Sequence, residues 1–188
     1  GMVAVIDANK PVTESLTEDE IKEYEEAIKN NFNVTDGEIT TTVSYTTTGS
    51  LVIDVPTDST LTAEEIEAMV EQSLADKLGL HPSNIDVEYD PETNEVTYTI
   101  TSDDAESLVD IQNQIAEESF ESNVNEDLGD EINVTDSTPP TEVVANVEIT
   151  VDATNTEDAE EAAENAQNEL EQQGNGVEST VEYRTSAP

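Results

Sequence analysis

The chain contains no cysteine, no tryptophan, a single histidine and only five Lys plus Arg among 188 residues. Without cysteine there is no disulfide framework and no thiolate, and the redox compartment is left undefined. With one histidine, no His–His or His–Cys ligand spacing can be written. No apolar run approaches the ~18 residues needed to cross a bilayer. None of the phosphate-cradling, zinc-protease or nucleophile-elbow patterns (GxGxxG, P-loop, HExxH, GxSxG) occurs. Gly1 before Met2 reads as the scar of a cleaved tag, so a native signal or anchor is expected to have been cut off.

What the chain has in excess is acid. Asp plus Glu number 46, giving a formal charge of -41, and the mean hydropathy is -0.54. Such averages lean toward disorder, but the periodicities below argue for folded elements. The negative charge repels nucleic-acid phosphates and anionic membranes, so neither is expected as a partner. Cations and an unidentified basic protein are the expected partners. Like-charge repulsion between copies favours a monomer.

The most legible stretch is 50–102. Ser50–Val55 alternates as a strand. Ile66, Met69, Val70, Leu74 and Leu78 then lay one apolar stripe along a helix. Thr62 and Glu65 have capping-box spacing, Gly79 suits a left-handed C-cap, and Pro82 forbids continuation. Ile85–Tyr89 and Val96–Ser102 alternate with period two around Asp90–Glu95, predicting a hairpin. Upstream, Met2–Asp7 predicts a strand followed by a loop through Pro11. Ser15–Ile21 repeats the register of Thr60–Ile66 about 45 residues earlier. Ile21, Tyr24, Ile28 and Phe32 form its stripe, and Ile39, Thr41, Val43 and Tyr45 line the next strand.

Downstream the unit changes. Asp103 or Asp104 opens a helix with Leu108, Ile111, Ile115 and Phe120 on its stripe. Asn123–Gly129 reads as loop, Ile132–Thr135 as a short strand, and Asp136–Pro140 as a break. Val143–Val151 resumes as strand. An alanine-rich helix (Ala159, Ala162, Ala163, Ala166, Leu170) follows, stopped by Gly174-Asn175-Gly176, and then a last strand, Val177–Tyr183. The strand–helix–strand units thus fall in the order A, A, B, B. The fold class expected is α+β: two ferredoxin-like α/β sandwiches from four βαβ units, with antiparallel sheets and helices on one face. The expected domains are a discontinuous outer one, 1–48 plus 141–188, and an inserted one, 49–140, with Thr46–Gly49 and Asp136–Pro140 as linkers. The alternative is two contiguous domains, 1–90 and 91–188.

Candidate chemistry is sparse. His81 lies in a loop beside Pro82 with no nucleophile partner and is expected to be solvent-exposed. Calcium is the natural ion for oxygen ligands. Asp90, Glu92 and Glu95 at the hairpin, or Asp103, Asp104 and Glu106 at the helix start, are the candidates for a weakly held cation, although turn formation and helix capping explain the same residues. NVT at Asn33 and Asn133 matches the glycosylation acceptor, a triplet that chance supplies in a chain this rich in Asn and Thr.

Gly49-Ser50-Leu51-Val52-Ile53-Asp54-Val55, between two strands, resembles the G-S-x-V-x-x-V region of SEA domains, which are extracellular modules of ferredoxin-like architecture. The resemblance implies a strained hairpin at Gly49-Ser50 and self-cleavage by attack of the Ser50 hydroxyl on the Gly49 carbonyl. It also favours the contiguous division of the chain. Leu51 and Ile53 depart from the family's valine run. With no other catalytic constellation in the chain, the expected function is a non-enzymatic acidic spacer or an adhesion or interaction module, secreted or at the cell surface. The alternatives are a calcium- or cation-responsive module and a SEA-like self-cleaving domain. Cytoplasm of a salt-adapted organism would account for the same charge.

Overall fold

Thr17 and Thr62 open helices in the same way. The Thr17 hydroxyl accepts the Glu20 N–H at 3.1 Å while the Glu20 carboxylate accepts the Thr17 N–H at 3.1 Å. Thr62 and Glu65 repeat the pair at the same distances. Each reciprocal box satisfies two of the donors that a helix N-terminus leaves without partners. Helix α1 (Glu18–Phe32) buries Tyr24, Ala27, Ile28 and Phe32, and ends at Asn33 with φ 57°. Helix α2 (Ala63–Leu78) buries Ile66, Val70, Leu74 and Leu78, and ends at Gly79 with φ 67°. Asp104 caps α3 (Ala105–Ile115) and Asp158 caps α5 (Ala159–Gln172), accepting from Ser107 N–H at 2.7 Å and Glu161 N–H at 3.1 Å. Between them lies α4 (Phe120–Leu128).

The strands are β1 (Met2–Val12), β2 (Ile39–Asp54), β3 (Ile85–Asp90), β4 (Glu95–Ser102), β5 (Asn133–Thr138), β6 (Val143–Asp152) and β7 (Glu178–Thr185). The computed structural model describes residues 1–173 and 176–185. The chain is a mixed α+β protein in which helices cover antiparallel strands. It divides into two compact units, Gly1–Tyr45 with Val144–Pro188, and Thr46–Val143.

In the first unit the strand neighbours run β7–β1–β6–β2. Ala4, Ile6 and Ala8 of β1 and Val147, Ile149 and Val151 of β6 pack in one core with Tyr24, Ile28 and Phe32 of α1 and Ala162, Ala163, Ala166 and Leu170 of α5. The small residues of α5 allow close approach, and the larger side chains of α1 fill the remaining volume. In the second unit the neighbours run β5–β2–β4–β3. Leu51, Ile53, Val96, Tyr98 and Ile100 are buried there, together with the stripes of α2, α3 and α4.

Several local expectations change. β1 does not stop at Asp7 but runs through Pro11 to Val12. Its pairing with β7 ends at Asn9–Glu178, so Pro11 interrupts no rung of that ladder. Thr46–Gly49, expected as a linker, is the middle of the 16-residue β2. The β-branched run continues the alternation, with Tyr45, Thr47, Gly49, Leu51 and Ile53 all buried. Thr47 is tolerated inside because its hydroxyl donates to the Glu142 carbonyl at 2.6 Å and accepts from the Gln112 amide at 2.9 Å.

Asn123–Gly129, expected as loop, is mostly α4: Phe120, Val124 and Leu128 recur every fourth residue and are buried. β5 extends past Thr135 to Thr138, so the break begins only at Pro139. Of the expected helix stop Gly174-Asn175-Gly176, the first two residues lie outside the described ones. The described part of α5 ends at Gln172, with Gln173 as its C-cap.

Candidate functional site

The hairpin acids are held by local turn bonds. Asp90 pairs with Glu95 across β3 and β4, and its carboxylate accepts the Glu92 N–H at 2.9 Å. Asn94 takes the left-handed conformation, φ 59°, that closes the turn. Asp90, Glu92 and Glu95 are all exposed. At the start of α3, Asp104 is occupied as the cap, and Asp103 and Glu106 face solvent. Among the described residues no group of three or more His, Asp or Glu is placed to hold a metal ion.

His81 is exposed. Its Nδ1 accepts the Ser83 N–H at 3.1 Å, capping the short 3-10 turn Pro82–Asn84, and lies 2.7 Å from the Ser83 hydroxyl. With Nδ1 committed to the cap, the ring acts here as a structural acceptor.

Gly49 and Ser50 lie within β2, with Ser50 opposite Thr138 of β5. Gly49 is not among the glycines of positive φ, so its peptide bond belongs to an extended strand rather than to a hairpin. What demands glycine is the ring of Tyr98. A Cβ at position 49 would run into Tyr98 Oη and stand 2.7 Å from Cζ and 2.9 Å from Pro140 Cδ. Tyr98 is fully buried, and its hydroxyl has no hydrogen-bond partner among the described residues. Burial holds its pKa well above the usual tyrosine range.

The other groups with chemical potential sit along strand edges. In the second unit each outer strand has one residue held by a side chain. The Glu67 carboxylate accepts the Tyr89 N–H of β3 at 2.8 Å. The Asn125 side chain clamps Val134 of β5, accepting its N–H at 2.7 Å and donating to its carbonyl at 3.1 Å. In the first unit Gln167 of α5 donates to the Ser179 carbonyl of β7 at 3.1 Å. Sequence reasoning missed these three residues. Asn125 fell in a stretch read as loop, and nothing in the spacing of Glu67 or Gln167 marks an edge cap.

On β1, Asp7 has its carboxyl pKa pushed up, by burial first and by the charge of Glu182 second, with Arg184 offsetting part. Four of the five cations are tied up locally. Lys10 lies 3.7 Å from Glu20, Lys29 lies 2.8 Å from Glu26 and also pairs with Asp36, and Lys77 lies 3.5 Å from Asp127. Arg184 bonds Glu182 at 3.2 Å.

No helix among the described residues is long and apolar enough to cross a membrane. Comparison of the chain with models of known families, with characterised proteins and with solved structures gives no match.

Proposed function

We propose that this is a non-enzymatic, acidic interaction module, secreted or displayed at a cell surface, whose partner is a protein presenting basic side chains. Each unit is read as a ferredoxin-like sandwich. The support is the strand order, β7–β1–β6–β2 and β5–β2–β4–β3, which is the fourth, first, third and second strand of each βαββαβ set.

The observation that carries the functional reading is the distribution of charge. Lys10, Lys29, Lys77 and Arg184 are neutralised by acids close to them. Many other acids, among them Glu18, Asp19 and Glu23 of α1 and Glu160, Glu161 and Glu164 of α5, face solvent. Such a surface steers basic partners at a distance and repels acidic ones.

The test is calorimetric titration with lysine-rich, glutamate-rich and uncharged peptides of equal length. Binding of the basic peptide alone is the result expected. Equal binding of all three, or turnover of a substrate in an activity screen, would overturn the reading.

A further inference from the structure

The hydrogen bonds around β1 fix which groups of β7 are left over. The Met2 carbonyl accepts from Ala153, which directly follows β6, so the even residues of β1 turn their backbone groups toward β6. Val3, Val5 and Asp7 therefore face β7, where they stand opposite Arg184, Glu182 and Thr180. By alternation, Ser179, Val181 and Tyr183 direct N–H and C=O away from β1. This agrees with Gln167 reaching the Ser179 carbonyl from α5.

β7 ends the strand order, and beyond Ser179 no side chain among the described residues caps its outer edge. β3 and β5 are likewise met by side chains at single residues, Tyr89 by Glu67 and Val134 by Asn125. Native proteins usually blunt such edges. On β7 Ser179 is bonded in this way, and among the described residues no side chain bonds the outward groups of Val181 and Tyr183.

The surroundings specify an occupant. Tyr183 and Met2, 41% and 43% exposed, are the large apolar side chains left in solvent among the described residues. They are same-face diagonal neighbours, because Met2 is opposite Thr185. Asp158 and Glu160 lie close enough to Tyr183 to add to the rise in its pKa that burial begins, and Glu178 and Glu182 are exposed on the strand itself. A second copy would bring the same acids against these, and each copy carries a charge of -41.

We propose that the Val181–Tyr183 edge of β7 is a docking site for an extended basic segment of a partner protein. The segment adds a strand by main-chain hydrogen bonds, sets alternate apolar side chains beside Tyr183, and turns Lys or Arg to the opposite face, toward Glu178 and Glu182. This rests on the interaction reading above and narrows it to one strand.

The test uses the full chain and a synthetic peptide of alternating Lys and Val. A control peptide of identical charge is N-methylated at alternate residues, so that it cannot pair. Amide hydrogen exchange is followed by NMR, and affinity by calorimetry. The expected result is slowed exchange at Val181 and Tyr183, with an affinity loss of about tenfold or more for the methylated peptide, as expected for a few lost hydrogen bonds. Val181→Pro removes one outward donor and no rung to β1, and is expected to weaken the unmethylated peptide alone. Equal binding of both peptides, with shifts spread over the acidic helices, would overturn the edge proposal and leave the polyanionic reading standing. If neither peptide binds, both fail. Should Val181→Pro not fold, the peptide comparison decides alone.

Discussion

Replacing Tyr98 by Phe tests the interior of the second unit with one atom. A buried tyrosine hydroxyl normally has a partner, and its removal then costs stability. Tyr98 is fully buried and its hydroxyl has none among the described residues, so the native state carries a desolvation penalty of about 1–3 kcal/mol with no bond to offset it. Tyr98→Phe is therefore expected to be neutral or to stabilise by about 1 kcal/mol in urea unfolding, with the slope m unchanged. The alkaline limb gives a second reading. Burial raises the folded-state pKa of Tyr98 above its unfolded value, which lies near ~10. The unfolded chain then releases the proton first, and stability contributed below pH ~10 is lost as pH rises beyond it. Tyr98→Phe removes this site's share, so its stability falls less steeply over that range. A loss of more than ~1 kcal/mol at neutral pH would refute the reasoning, because it would mean that a partner is satisfying the hydroxyl.

Three further outcomes are expected. Gly49→Ala forces a Cβ to within 2.7 Å of the Tyr98 ring and should destabilise by about 1–3 kcal/mol or more; if the cost is the same in a Tyr98→Leu background, the ring is not its cause. Asp7→Asn relieves a carboxylate whose ionised form is disfavoured by burial and by Glu182. It should therefore stabilise above the usual aspartate range and have little effect at pH 3, where the acid is protonated in both states; equal gains at both pH values in urea melts would exclude the charge mechanism. Sodium chloride should raise the melting temperature by screening the charge of -41. Calcium at matched ionic strength should do so by a similar amount, whereas a large additional gain at micromolar calcium would point to a discrete site.

Much of this architecture is written locally. Thr17–Glu20 and Thr62–Glu65 are legible as caps because the box is a spacing, and the β3–β4 hairpin is legible because alternation flanks Asp90 and Asn94. The misread segments share a cause: composition opposed the element that tertiary burial imposed. The Thr46–Gly49 run looks like a polar linker until Gln112 and Glu142 supply partners for Thr47. The Asn-rich stretch of α4 reads as loop because asparagine is a poor helix former; burial of Phe120, Val124 and Leu128 decides otherwise. Gly49 invited comparison with a cleavage hairpin, but its strand contact with Tyr98 is long-range, and no local pattern carries it. The edge caps Glu67 and Asn125 reach strands that begin beyond their own helices, at Tyr89 and Val134, which periodicity cannot anticipate.

The claim on which the functional account turns is that the acidic surface itself is the recognition element. Its most direct measurement is the affinity for a lysine-rich peptide across a series of salt concentrations, for the native chain and for a variant with Glu160, Glu161 and Glu164 of α5 changed to Gln. The account expects a steep fall of affinity with salt in the native chain and a shallower one in the variant. Salt-independent binding, identical in the two proteins, would contradict it.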